Sequence, residues 1–347
     1  MLWIGSFIKE PYFCTMVKIG PITLPEFPLL LAPMEDVSDP PFRRLCKAHG
    51  ADLMYSEFIS SEGLIRDAIK SRKKLDIFDY ERPVGIQIFG GDEEAMALSA
   101  RIVETVQPDL VDINFGCPVK KVVCKGAGAG VLKDIDLMVR LTKAVVSSTH
   151  LPVTVKTRLG WDSDSINIDE VAQRLQETGI KALTIHARTR AQMYKGEADW
   201  EHISRIKQNP NIEIPIFGNG DVDSPQKALE YRQKYACDGI MIGRGAIGYP
   251  WIFKEIKHFF ETGELLAGPT IEERLEAVSL HAAWSVEWKG ERAGLVEMRQ
   301  HYSNYFRGIP HFKEFRKAFL QVETLEQMRE QIGKTHEFYL NSHLDIS

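Results

Sequence analysis

The chain has 347 residues, enough for on the order of two domains. Hydrophobic residues make up 44% and charged residues 26%, which excludes collagen-like, coiled-coil and disordered chains. The 43 Lys and Arg against 48 Asp and Glu leave a formal net charge of −5, arguing against non-specific coating of nucleic acid through bulk charge.

Lys9 and Glu10 interrupt the amino-terminal stretch before a signal-peptide core can form, and no apolar run approaches the ~18 residues of a membrane span. The cysteines at 14, 46, 117, 124 and 237 form no CxxC pair and have no zinc-finger spacing, so they read as reduced thiols. A cytoplasmic protein with no metal and no membrane association is expected, acting as a monomer. Patterning begins near Met16, and residues 1–17 are expected to be an amino-terminal extension, their first fifteen either loose or the result of a start placed too early.

Eight short β-rich runs follow, at 29–34, 53–58, 84–89, 110–115, 153–158, 182–186, 214–219 and 239–243. Each reads as apolar on both faces, as parallel strands covered by helices do. Amphipathic helical stretches lie between them, including 93–106 and 169–178, the latter closed by Gly179. This alternation predicts an α/β fold, a (β/α)8 TIM barrel spanning 18–262. A doubly wound Rossmann sheet would place GxGxxG directly after the first strand, but there the sequence reads APMEDVSDP.

The unusual polar residues Gln87, Asn114, Lys156, His186, Asn219 and Arg244 fall at the carboxyl ends of predicted strands, with Cys117 three residues beyond the fourth. That face carries the chemistry of barrel enzymes. Gly243, Gly245 and Gly248 surround Arg244 after the eighth run, and 218–224 (GNGDVDS) precedes it. Together these two loops read as a phosphate clamp.

At 263–269 (GELLAGP) the sequence reads as a linker, and 270–340 is patterned as helices. Between 289 and 317 stand seven cations (Lys289, Arg292, Arg299, Arg307, Lys313, Arg316, Lys317) against three carboxylates (Glu291, Glu297, Glu314). Tyr302, Tyr305, Phe306, Phe312 and Phe315 are interleaved. The aromatics are expected to form the helical core, the cations to face RNA.

The blocks APMEDVSDPPFR (32–43), QIFGGD (87–92), DINFGCPVKKVVCKGAGAGVL (112–132), VTVKTRLGW (153–161), TIHARTRAQMYKGEADW (184–200), FGNGDV (217–222) and MIGRGAIGYPWIF (241–253) resemble the tRNA-dihydrouridine synthases, most of all the bacterial B-type branch. The resemblance implies an FMN-containing barrel and a small helical tRNA-binding domain, reducing particular tRNA uridines with electrons from NADPH. Flavin contacts would fall on Pro33, Met34, Glu35 and Gln87, with Lys156 and His186 near the ring system and Asn219, Gly220, Asp221, Gly243 and Arg244 at the phosphate end. Glu35-Asp36 stands where many members carry Ala-Gly, and Phe115 where Met is usual.

Hydride added at C6 of uracil leaves enolate charge over C5 and O4, so a proton must reach C5. Cys117, a thiol of ordinary pKa about 8.5, is the candidate acid. Asn114 carries both a donor and an acceptor for a uracil edge. Arg188 and Arg190, with Lys195, are placed to meet phosphate or base. The base must be drawn out of folded RNA, and 120–130 (KKVVCKGAGAG) reads as a basic, glycine-rich lid. For Cys14, Cys46, Cys124 and Cys237 packing is expected. The alternatives are a flavin barrel dehydrogenase for a free pyrimidine and a non-catalytic RNA-binding protein on the same barrel.

Overall fold

The computed structural model describes residues 16–342. The expected extension at 1–15, Cys14 included, lies outside the described residues. The first elements are an antiparallel hairpin of β1 (Val17–Ile19) and β2 (Ile22–Leu24). Strands of three residues are too short to show a period in the sequence.

The barrel strands are β3 (Leu29–Leu31), β4 (Met54–Tyr55), β6 (Val84–Phe89), β7 (Leu110–Asn114), β8 (Val153–Arg158), β9 (Ala182–His186), β10 (Ile216–Asn219) and β11 (Gly239–Ile242), with β5 (Ile59–Ser60) added to the far end of β6. All pair in parallel, and the Leu30–Leu53 bridge closes the ring between β3 and β4. Around them run α1 (Pro40–Ala48), α2 (Ser61–Ile65), α3 (Ile69–Lys73), α4 (Glu93–Glu104), α5 (Lys120–Val123), α6 (Ile135–Val146), α7 (Ile168–Gln176), α8 (Glu201–Gln208), α9 (Pro225–Tyr235) and α10 (Ile252–Thr262). Asp39, Asp92, Asp134 and Ser224 cap α1, α4, α6 and α9 with their side-chain oxygens.

Alternation sorts the strand residues between two cores. Ile86, Ile88, Val111, Ile113, Val155, Leu183 and Ile185 point outward to the helices. The inward positions at the amino end, among them Leu30, Tyr55, Leu110 and Phe217, close over the hairpin residues Val17, Ile19 and Leu24. The hairpin therefore plugs the floor of the barrel. Moving toward the carboxyl ends, the same inner wall turns polar, through Gln87, Asp112 and Thr154 to Asn114, Lys156, His186 and Asn219. The expectation of strands apolar on both faces thus holds only for the outer one.

Helices α11 (Ile271–Lys289), α12 (Glu291–Glu297), α13 (Arg299–Tyr305), α14 (Phe312–Gln321) and α15 (Leu325–Asn341) pack around a separate apolar cluster. Tyr302, Tyr305, Phe306 and Phe312 are buried in it, as expected of the aromatics.

Lys289 corrects the reading of the cations. Its ammonium is buried in the seam between α11 and α1, 2.6 Å from the Asp39 carboxylate that caps α1, and also paired with Glu297. The seam adds Trp288 Nε1 donating to Asp76 at 2.8 Å and Arg44 over the Trp284 ring at 4.0 Å. At Gly248 the backbone has φ +62°, and a Cβ would lie 2.4 Å from the His301 carbonyl oxygen, so only glycine permits this approach of barrel to helices.

Removing one partner of a buried ion pair leaves the other charge uncompensated. Lys289→Met is expected to lower stability by about 3 kcal/mol in urea unfolding. Adding Asp39→Asn, which keeps a capping oxygen, should recover more than half of that loss; a double variant no more stable than Lys289→Met alone would contradict this account of the seam.

Candidate active site

The polar upper wall opens into a cavity of about 740 Å³, within the ~300–1,000 Å³ usual for small-molecule sites. It is lined by the loops after nearly every barrel strand: Pro33, Met34 and Glu35 after β3, Cys117 after β7, Tyr194 after β9, Gly220 and Asp221 after β10, Gly243 and Arg244 after β11. Arg307, from the helical region, reaches the same cavity.

Cys117 is held from below by a chain of hydrogen bonds. Asp112, buried inside the barrel, accepts from Thr154 Oγ1 at 2.5 Å and from Gln87 Nε2 at 2.5 Å. Gln87 Oε1 accepts from Asn114 Nδ2 at 2.7 Å, and Asn114 Oδ1 accepts from the backbone N–H groups of Gly116 and Cys117 at 2.9 and 2.8 Å. Burial raises the Asp112 carboxyl to about 6, against the lowering pull of the Thr154 and Gln87 bonds and of Lys156. The Cys117 thiol is 7% exposed, and burial pushes it up, so it carries its proton at neutral pH.

Lys156 rises beside this network from β8. Its ammonium donates to Asn219 Oδ1 at 3.1 Å, and among the described residues no carboxylate forms an ion pair with it. Burial, assisted by Arg158, lowers it to about 8. Arg158 gives its donors to the carbonyls of Gly116, Thr189 and Met193, and burial lowers it to about 10. Burial and these cations hold the His186 imidazole well below its ordinary range, hence neutral. Its Nε2 lies 3.5 Å from the Arg188 guanidinium, which can only donate, and that contact assigns the proton to Nδ1.

Asp221, in the left-handed region at φ +59°, draws the phosphate-clamp side together. It accepts from Arg188 at 2.6 Å, from the Ala198 N–H at 2.8 Å and from Arg244 at 3.1 Å. Arg244 remains 55% exposed. The cavity lining counts six cations (Lys156, Arg158, Arg188, Lys227, Arg244, Arg307) against three carboxylates (Glu35, Asp221, Asp223), so a protein of net charge −5 presents a locally positive mouth.

A sequence profile described as Dihydrouridine synthase (Dus) matches residues 30–339. A Pseudomonas aeruginosa protein named tRNA-dihydrouridine synthase B is 41% identical over 309 residues, 89% of this chain and 92% of that protein. A Rickettsia conorii protein named probable tRNA-dihydrouridine synthase is 38% identical over 93% of this chain and 96% of its own length. The chain belongs to the dihydrouridine synthase family.

Solved structures with the same barrel include a morphinone reductase variant in complex with tetrahydroNAD, with a TM-score of 0.53 at 12% identity, covering 76% of this chain and 94% of that one. A 2-naphthoyl-CoA reductase complex matches with a TM-score of 0.55 at 13% identity, covering 71% and 52%. At such identities the likeness is one of fold.

Most of the positions expected in the site, from the resemblance or from the chemistry of uracil reduction, line the cavity: Pro33, Met34, Glu35, Asn114, Cys117, Lys156, His186, Arg188, Asn219, Gly220, Asp221, Gly243 and Arg244. Gln87 does not. It is fully buried one layer down, its amide joined to Asp112 and Asn114. Nor does Arg190, whose guanidinium lies 4.5 Å over the Trp161 ring. Asn114 has its carbonyl occupied by the Cys117 loop, leaving one N–H of its amide for anything above. Arg188 is buried against Asp221 and the carbonyls of Lys195 and Gly196, which makes it a brace of the loop wall. The Met34 N–H is committed to Ser38 Oγ at 2.8 Å, and Glu35 pairs with Lys74 at 2.5 Å.

The lid expectation divides. Residues 120–126 are mostly exposed, but Ala127, Gly128 and Ala129 are buried, with the Ala129 N–H donating to the Cys117 carbonyl at 3.0 Å. Gly128 and Ala129 are thus packed beneath Cys117, while Gly126 stays exposed. Cys46 and Cys237 are buried as expected, whereas Cys124 is exposed. Arg158 and Tyr194 were passed over; the first had a signal, standing two residues from Lys156 on one strand face. Tyr194 lies near His186, Arg158 and Arg244, at 6.3, 5.6 and 5.2 Å.

If Asn114 fixes the Cys117 loop, Asn114→Ala should free it. Alkylation of Cys117 by iodoacetamide is expected to accelerate by about tenfold, the effect of losing roughly 1.4 kcal/mol of restraint from two hydrogen bonds. An unchanged rate would remove Asn114 from that role.

Proposed function

We propose that this chain reduces the C5=C6 bond of uridines in tRNA, with FMN as its bound cofactor and NADPH as electron donor. The observation that carries the reading is the pairing, in one cavity, of a protonated and nearly buried thiol with a half-buried, desolvated lysine that forms no ion pair among the described residues.

The residues fit FMN. A desolvated cation that forms no ion pair is costly unless an anionic ligand completes it, and the half-buried Lys156, drawn only partly by Asp112 and bonded to Asn219, offers that site in the cavity floor. At the other end the exposed Arg244 and the backbone of Gly220, Gly243 and Gly245 suit a phosphate. Residues 18–262 would hold the flavin and 270–340 would contact the tRNA. Bound FMN supplies the hydride for C6 of the uracil and takes its electrons from NADPH. Cys117 Sγ holds the proton destined for C5, and burial keeps it there. The neutral His186 keeps one N–H available without adding to the positive field. Exposed Tyr194 and Arg307 face the drawn-out nucleotide at the mouth. No described helix is long and apolar enough to cross a membrane; we place the protein in the cytoplasm, acting as a monomer.

Against the free-pyrimidine alternative stands the exposure of Arg292, Arg307, Lys313, Arg316 and Lys317 on the helical region. Purified protein should be yellow and should reduce uridine in whole unmodified tRNA. Cys117→Ala should keep its flavin absorbance and lose about 10²–10⁴-fold in uridine reduction. Equal turnover of free uracil and tRNA, or full activity in Cys117→Ala, would overturn this reading.

The lysine makes flavin binding pH-dependent. With its pKa at about 8 in the free protein, Lys156 becomes neutral as pH rises through 8, and binding an anion there must take up a proton. Affinity of the apoprotein for FMN is expected to fall above pH 8 by up to about tenfold per unit. Lys156→Gln should bind more weakly and without that slope in a fluorescence titration; an equal slope in both proteins would assign the proton elsewhere.

A further inference from the structure

Residues 65–74 (IRDAIKSRKK) hold five cations and one carboxylate, the same sign of imbalance as the cavity mouth. They form α3 and its flanks, on the carboxyl-terminal face of the barrel. None of the five residues of α3 is buried, so this segment adds nothing to the core. At its start Ile69 is 87% exposed, more than any other large apolar residue among the described residues.

Two contacts fix where the segment stands. Lys74 reaches Glu35 at 2.5 Å and lies 5.9 Å from the Phe58 ring, and both Glu35 and Phe58 line the cavity. On the other side Lys73 lies 4.8 Å over the ring of Trp288 in α11. The ridge therefore joins the rim of the cavity to the edge of the helical region. Lys70 and Lys73 have no carboxylate partner among the described residues. Arg66 and Arg72 pair only with the solvated Glu62 and Asp67, pairs worth little and readily exchanged for phosphate.

We propose that α3 and its flanks form an RNA-binding ridge: Arg66, Lys70 and Arg72 grip the ribose–phosphate backbone beside the target uridine, and Ile69 lies against a base unstacked when that uridine is drawn out. This rests on the tRNA reading above. An isolated exposed isoleucine would equally suit a protein partner, but its setting of cations favours a polyanion. Apolar side chains placed at a disturbed base step are a recurrent way to hold nucleic acid open.

The test uses holoenzymes of Arg66→Ala/Lys70→Ala/Arg72→Ala and of Ile69→Ser, with flavin absorbance as the check of folding. Affinity for an unmodified tRNA transcript is measured across salt, together with single-turnover uridine reduction. The triple variant should bind about tenfold more weakly at low salt, and its slope of log affinity against log salt should shrink by about 2, as three lost phosphate contacts require. Ile69→Ser should keep the slope and slow reduction at saturating tRNA about fivefold, the scale of a lost base contact. Wild-type protein that neither binds nor reduces tRNA overturns the function and the ridge together. A wild-type synthase whose triple variant keeps its affinity and slope overturns the ridge alone, and turns the search toward a protein partner.

Discussion

The carboxylate of Asp112 lies inside the barrel, where only hydrogen bonds can keep it, and the loop bearing Cys117 hangs from it. Burial opposes its charge, while Thr154 and Gln87 donate to both of its oxygens. Because a carboxylate accepts and never donates when ionised, it orients the Gln87 amide with nitrogen down and oxygen up. That oxygen then turns the Asn114 amide, whose own oxygen gathers the Gly116 and Cys117 N–H groups. One buried charge thus sets the direction of every hydrogen bond up to the thiol. Networks of this kind are rigid when complete and costly when broken.

The wall around this network is electrostatically unfavourable by itself. Lys156, Arg158, Arg188 and Arg244 all act on His186 in the same direction, lowering it, and burial lowers Lys156 and Arg158. A core selected for stability alone would not place these groups together. Arg158 survives there by donating to carbonyls of the loops after β7 and β9, so the same side chain that charges the mouth also ties two of its walls. Lys156 makes no hydrogen bond beyond Asn219, and Asp112 offsets its burial only in part. The site stores a deficit of negative charge, and that deficit is its affinity for anions.

Much of this was legible in the sequence, because a barrel strand writes its carboxyl end as a polar residue after an apolar run. Asn114, Lys156, His186 and Asn219 were found that way, and all four line the cavity. Gln87 obeyed the same rule yet lies a layer lower, since the rule gives the face and not the height. Asp112 escaped because an isolated acid in LVDIN looks like a strand boundary until its neighbours on β6 and β8 are known. Lys289 looked like surface charge, and only the folding of α11 onto α1 brings Asp39 to it. The glycine run 126–130 suggested mobility, and Gly126 is indeed exposed, whereas Gly128 makes room for the Cys117 backbone and Gly130 for that of Val123. The misses at Gln87, Asp112 and Lys289 concern side chains whose partners are distant in the chain.

The seam explains why two folding units can act on one substrate. Gly248 brings the loop after β11 against α13, Gln300 of α13 donates to the Asp36 carbonyl, and Arg307 follows a few residues later into the cavity. The loop after β3 is held at one end by Ser38 and Asp39 and opens at the other onto the cavity through Pro33 and Glu35. On the proposed function, a substrate bound by the helical region would be referenced to the same loop that borders the thiol. With the thiol fixed from below and the helices fixed from the side, little of this framework is left to vary with the identity of the uridine. On the proposed function, discrimination among uridines would then fall to exposed basic elements, namely α3, residues 120–125 and the free cations of α12 and α14, whose spacing would select which part of a folded RNA can lie over the mouth.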